Sequence, residues 1–190
     1  RTARTVGLGS LGVRRVCWPL LTRVQPQPLE IWTQALQEAP ADEQVGKDVA
    51  RSLFMVQEPQ RRATLRAQLE RIVSAVLHVN RSALSYYQGF HDVATVVLLV
   101  VKRPAIAAAV LSRLALGPLR PALGPDLKPV TSLLELLWRV VQGEDAQLYD
   151  FLQRSSVQPF FALPWLLTWF SHSIANFDSV CRLFDLFLVE

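Results

Sequence analysis

The stretch Pro59-Gln-Arg-Arg-Ala-Thr-Leu65-Arg-Ala-Gln-Leu69-Glu-Arg-Ile72-Val73-Ser-Ala-Val76-Leu77-His-Val-Asn80 decides how this chain is read. Leu65, Leu69, Ile72, Val73, Val76 and Leu77 recur at three- and four-residue spacing, which is one face of a helix with 3.6 residues per turn. Arg62, Arg66 and Arg71 fall largely off that face. Pro59 suits the first helical turn, where the N–H it lacks would have no partner anyway, and Asn80 is a natural stop.

Outward from this segment, helix signals continue in both directions. Pro26 and Pro28 separate a first helix, about residues 13–23, from a second, about residues 29–38. Pro40 and Asp42 introduce a third that carries Val45, Asp48 and Arg51. Pro104 opens another that runs through Leu114. The segment 117–129 holds Pro118, Pro121, Pro125 and Pro129 and reads as a loop. Ser132-Leu-Leu-Glu135 has the spacing of a capping box, and Asn176 suits the cap of a last helix. Val93 to Val101 is ambiguous by periodicity, since a short apolar run fits a buried strand or a buried helix. No partner strand with turn chemistry accompanies it, so a buried helix is expected. The fold class read from the sequence is all-α, a single multi-helix domain over residues 1–190.

Composition agrees with a globular domain: 51% of the 190 residues are apolar and 19% charged, too apolar for disorder. The longest apolar runs, Val93 to Val101 and Phe160 to Phe170, fall short of the roughly 20 residues that cross a bilayer. Arg1 and Arg4 are not followed by a signal-type apolar core before Arg14, which disfavours secretion. The chain begins without Met and reads as a piece of a longer or processed protein. The net charge of +4 gathers at Arg14 and Arg15 and at Arg61, Arg62 and Arg66, which read as solvated helix faces. A nucleic-acid site wants a longer basic stripe interleaved with aromatics, so no nucleic-acid partner is expected. Cys17 and Cys181 lie at opposite ends in no CxxC or CxxH spacing, which argues against zinc. They read as free buried thiols of a reducing compartment, pointing to a cytoplasmic protein.

Two motifs mislead. Gly7-Leu-Gly9-Ser-Leu-Gly12 matches GxGxxG, and Glu30 sits where a ribose-binding acid belongs. A dinucleotide fold needs a strand before the first glycine, and only six residues precede Gly7, so a flexible lead-in to the first helix is the better reading. His91-Asp92 suggests hydrolase chemistry, yet no serine or cysteine is singled out as its nucleophile. His78 and His172 have no ligand spacing and read as ordinary helix-surface or interior histidines.

Two other segments stand out together: Val45-Gly-Lys-Asp48-Val-Ala-Arg51 and Tyr86-Tyr-Gln88-Gly89-Phe-His91-Asp92. They resemble the IxxDxxR and YxQG signatures of the TBC family of Rab GTPase-activating domains, with valine for isoleucine in the first. Either alone is weak; in this order, with a long amphipathic helix between them, they are much more specific. Arg14-x-x-x-Trp18-Pro-Leu-Leu21 resembles the family's opening helix. Gln147 to Leu152 and Phe161 to Phe170 resemble its central pair, and Val180-Cys-Arg182-Leu-Phe184-Asp185 its late RLWD segment. The resemblance therefore covers nearly the whole chain. Within the family, Tyr86 to Asp92, Asp48 to Leu53 and Trp165 to His172 are similar to an endoplasmic-reticulum-anchored branch that acts on the Rab of early secretory transport.

The resemblance implies a GTPase activator, not an enzyme in its own right. It implies a GTP-bound Rab as partner and no cofactor of the chain's own, since GTP and Mg²⁺ travel with the Rab. It also implies a place on the cytosolic face of the endoplasmic reticulum or Golgi, through a segment absent from this sequence. Arg51 and Gln88 are the implied catalytic pair. Phosphoryl transfer to water needs charge compensation and an oriented water, and an inserted arginine contributes about 10³ to 10⁵ in rate. The planar, permanently charged guanidinium suits phosphate oxygens. Asp48, three residues earlier on a helix, can hold Arg51 in position. Gln88 brings an amide that donates and accepts at once. Gly89 is expected to let the backbone approach the partner closely, and Tyr86 to pack and fix the turn.

The sequence departs from the family pattern in three places. Arg81 follows Asn80 where the family has proline, and a longer connection to Tyr86 would shift Gln88 relative to Arg51. Phe184 stands for tryptophan. The chain ends at Glu190, directly after the RLWD-like segment, where the family continues; a C-terminally truncated domain lacking its final helices is expected. Two other readings compete: a catalytically silent, TBC-like Rab-binding scaffold, and a helical hydrolase built on His91 and Asp92.

Overall fold

The computed structural model describes residues 7–24 and 29–189. Among them are ten α-helices: α1 Leu11–Leu21, α2 Leu29–Glu38, α3 Glu43–Ala50, α4 Pro59–Val79, α5 Phe90–Val101, α6 Pro104–Leu116, α7 Lys128–Glu144, α8 Ala146–Arg154, α9 Leu163–Thr168 and α10 Phe177–Phe187. Short 3₁₀ turns at Arg120–Ala122 and Pro159–Ala162 complete the set, with no strand among the described residues. Pro26 and Pro28, read as the break between α1 and α2, lie outside the described residues, as do Arg1 and Arg4.

The central element is α4. Leu69, Ile72, Val73 and Val76 are fully buried, and the helix packs against α2, α3, α5 and α6. Pro59 occupies its first turn and Asn80 its C-cap. The valine-rich run is the helix α5, buried nearly all round, as expected of a helix apolar on every face. It also touches α1, α3 and α9. Asn176 caps α10 by accepting from the Ser179 N–H at 2.8 Å. The α7 and α8 helices leave Leu136, Val140 and Phe151 exposed.

Three local expectations are corrected. Ser132 is inside α7, not at its start, and its hydroxyl donates to the Lys128 carbonyl at 2.9 Å, so no capping box forms with Glu135. The 117–129 segment is a loop interrupted by the 3₁₀ turn, and α7 begins at Lys128, with Pro129 in its first turn where proline is tolerated. Cys17 is only half-buried, whereas Cys181 is buried and burial pushes its thiol up to about 12.

The arginine clusters are not merely solvated. Arg14 is buried and its Nε lies 3.0 and 3.1 Å from the two oxygens of Asp185, which is itself fully buried. Trp18 Nε1 donates to the same carboxylate at 2.8 Å and the Leu8 N–H at 2.9 Å. This explains the glycine-rich start: Gly7 and Gly9 have φ of +79° and +76°, and a Cβ at Gly7 would sit 2.5 Å from Arg182 Cδ. The GxGxxG match is thus a strap that turns backbone toward Asp185 and ties α1 to α10. Phe184 fills the space beside it, stacked on Trp18 at 5.6 Å between centroids and edge-on to Trp169 at 5.2 Å. On α4, Arg71 donates to the carbonyls of Leu36 and Ala39, and Arg66 to that of Ser52. These guanidiniums satisfy carbonyls that helix ends and turns leave open.

Candidate functional site

Asp42 starts α3 by accepting from the Val45 N–H at 3.0 Å. The helix ends at its C-cap, Arg51. One turn earlier, Asp48 points inward and is buried, while the Arg51 side chain is 66% exposed. Arg51 Nη2 donates to Asp48 Oδ1 at 2.7 Å and Gln44 Nε2 to the same oxygen at 3.2 Å. The other oxygen, Oδ2, accepts from the Tyr86 hydroxyl at 2.7 Å. Burial alone would push the Asp48 carboxyl up, but the hydrogen bonds from Tyr86 and Arg51 and the proximity of His91 outweigh it and hold the group below its ordinary value. Burial and the carboxylate together drive the Tyr86 phenol far above its usual range, so it stays a donor.

The second strand of chain arrives from α4. Asn80 Nδ2 donates to Val76 O and Ser112 Oγ, its carbonyl accepts from Ala83 and Leu84, and the Ser85 N–H donates to Leu123 O. These bonds hold the connection between α4 and Tyr86. Tyr87 donates to the Leu167 carbonyl at 2.6 Å and its ring tilts against Phe90. Gln88 is exposed in the turn just before α5. Gly89 caps that helix at φ +115°, a conformation that side chains disfavour. A Cβ there would lie 3.0 Å from Thr168 Cγ2. The expectation that Gly89 serves partner approach is therefore refined: the space its missing side chain leaves is occupied by α9 of the same chain.

His91 and Asp92 follow in the first turn of α5. Since Tyr86 gives its proton to Asp48, its oxygen is an acceptor, which suits a proton on His91 Nδ1, 3.1 Å away. His91 Nε2 is 3.4 Å from Asp92 Oδ1, and Asp92 Oδ2 is 3.1 Å from His172 Nδ1. His91 and Asp92 thus form a polar chain along the cleft, and among the described residues no serine or cysteine lines it with them. His172, read as an ordinary histidine, lines the same cleft; only the fold brings it there, and no spacing signalled it.

Arg51, Gln88, Asp92 and His172 line one cleft of about 570 Å³ with Leu163 and Leu167 from α9. Asp48 and Gly89 line it as well, and Tyr86 supports Asp48 from outside the lining. A guanidinium held by a buried carboxylate can stabilise developing negative charge, and an exposed amide beside it can orient a small polar molecule. Among the described residues no group of three or more His, Cys, Asp or Glu could hold a metal ion, and no helix is long and apolar enough to cross a membrane.

Comparison with known proteins decides the lineage of this arrangement. The Rab-GTPase-TBC domain family matches residues 12–190. The chain belongs to that family. This TBC domain is 35% identical to human TBC1 domain family member 20 over 187 residues, 96% of this chain and 46% of the relative. It is 37% identical over 123 residues to the GTPase-activating protein gyp10 of Schizosaccharomyces pombe, covering 65% of this chain and 32% of that one. The TBC domain thus spans less than half the length of these curated relatives. Its fold matches the Ypt/Rab-GAP domain of Gyp1p, with a TM-score of 0.78 at 16% identity over 99% of this chain and 71% of that chain. The Chlamydomonas flagellar RabGAP TBC domain gives 0.77 at 16% identity, over 95% and 62%.

Proposed function

We propose that this TBC domain is a GTPase activator for a Rab, inserting Arg51 and Gln88 in trans beside the GTP that the Rab holds. The observation that carries the reading is their shared cleft: Arg51 and Gln88, 37 positions apart, both reach solvent there while Asp48 is buried beneath them. Arg51 would offset charge on the transferring phosphoryl group, and Gln88 would orient the attacking water. Asp48 aims the guanidinium, and Tyr86 aims Asp48. GTP and Mg²⁺ enter with the partner, so the domain supplies side chains rather than a complete active site. The name of the yeast relative, a GTPase-activating protein, supports the same reading. Likeness to TBC1 domain family member 20 makes the Rab of early secretory transport the first candidate, on the cytosolic face of the endoplasmic reticulum or Golgi.

The test is phosphate release from a panel of GTP-loaded Rabs with the parent, Arg51→Ala and Gln88→Ala. The expected result is acceleration of at least one Rab, reduced about 10³-fold or more in the arginine variant and by orders of magnitude in the glutamine variant. A folded parent that binds GTP-loaded Rab without changing its hydrolysis would overturn catalysis and leave a silent scaffold.

A further inference from the structure

Between the end of α3 and the start of α4 the chain makes a β-turn in which the Val56 N–H donates to the Leu53 carbonyl at 3.0 Å. Phe54 and Met55 are its two central residues, and each is 63% exposed. Glycine, asparagine, aspartate, proline and serine dominate such positions, and large apolar side chains there have no local reason to be present. The turn is held from below. Leu53 is buried at φ +60°, a strained conformation for a branched side chain that persists only where the surroundings impose it. Arg66 donates twice to Ser52 O, and Arg62 donates to Val56 O at 2.7 Å and to Gln57 O at 3.3 Å. The Arg66 guanidinium also lies 5.3 Å from the Phe54 ring centroid, a cation–π contact that orients the ring. Phe54 follows Arg51 by three residues.

We infer that Phe54 and Met55 form a preorganised apolar anchor that docks on the surface of the GTP-bound GTPase next to the Arg51 insertion point. The inference rests on the GTPase-activating reading above. Ordering two loose side chains on binding costs free energy, and a turn already fixed at both ends lowers that cost. Exposed aromatic and methionine side chains are enriched at the centres of interfaces. Charge defines the complementary surface: residues 51–66 carry Arg51, Arg61, Arg62 and Arg66 against the one carboxylate Glu58. The fitting partner face has an apolar centre and an acidic rim. Attraction of that rim favours encounter, while the anchor governs how long the complex lasts. The anchor touches neither the cleft nor the buried carboxylate, so it acts on binding and not on the chemical step.

The experiment measures KM and kcat of the full chain for the most responsive Rab of the panel, with parent, F54S/M55S and F54L/M55L. The expected result is a KM raised about tenfold or more by F54S/M55S, as for an interface hot spot, with kcat within about twofold. F54L/M55L should stay near the parent. Circular dichroism of the double serine variant should match the parent, because both side chains are exposed. A parent that accelerates hydrolysis while F54S/M55S leaves KM unchanged overturns the anchor and leaves the activator reading standing. A parent that accelerates no Rab overturns both. Dimerisation of the parent in sedimentation, abolished by F54S/M55S, would assign the turn to a second copy and overturn the inference. Anionic-vesicle binding lost in the same variant, with KM unchanged, would assign it to lipid.

Discussion

The Tyr86 hydroxyl donates to Oδ2 of Asp48 at 2.7 Å, across 38 residues of chain. This bond joins the two signature segments directly. Oδ1 of the same carboxylate is taken by Arg51 and Gln44, so Asp48 has a donor on each side and its orientation is fixed. The arginine at the cleft is therefore positioned from the segment that carries the glutamine.

Tyr86→Phe tests this coupling. The substitution keeps the ring and removes one donor to a buried carboxylate, an interaction contributing about 1.5–3 kcal/mol. The expected outcome is a loss of that order in urea unfolding, together with a fall in kcat for the GTP hydrolysis that the domain stimulates in the Rab, and little change in KM. A variant as stable and as active as the parent would show that Asp48 is held without Tyr86.

Asp48 also sets an acid response. Its folded-state pKa lies below the ordinary 3.8, so the folded state favours the carboxylate. Its contribution to stability is then full above about pH 4 and is lost as pH falls below that toward the depressed value. The parent and Asp48→Asn should differ in stability most above pH 4 and converge under stronger acid. Thermal melts between pH 2 and 6 measure this; a gap that widens on acidification would contradict the depressed value.

Gly89→Ala meets two separate costs. The φ of +115° is strained for alanine, and the new methyl would stand 3.0 Å from Thr168 Cγ2. Together these should destabilise the domain by roughly 1–3 kcal/mol. Adding Thr168→Ser removes the opposing methyl while keeping the hydroxyl that donates to Pro164 O, so it should restore part of the loss. Denaturant melts of the single and double variants separate the steric component from the backbone one.

Asp185 holds the chain's opening strap, α1 and α10 together through Leu8, Arg14 and Trp18. Arg14→Leu leaves a buried carboxylate short of its cation, and breaking such a pair by removing one partner costs about 3–5 kcal/mol. A marked fall in melting temperature is expected, against a small one for Arg15→Leu. Similar melting temperatures for the two variants would show that Asp185 is satisfied without Arg14.

The sequence by itself determined the helical class and the ordering of most elements, because apolar spacing at three and four residues is a local property that any single helix displays. It marked α2, α4, the buried α5 and the Asn176 cap, and it marked Asp48, Arg51, Tyr86, Gln88 and Gly89 as motif positions. Only tertiary structure decided what those residues touch. Arg14 looked like a solvated basic residue because its partner Asp185 is 171 residues away, and nothing local announces that a carboxylate is buried. His172 reached the cleft wall by the packing of α9 against α5, and Gly89 is needed by Thr168, 79 positions on. The exposure of Phe54 and Met55 was equally hidden. Whether an apolar pair is core or surface depends on what the rest of the chain places over it, and no periodicity within a turn carries that information.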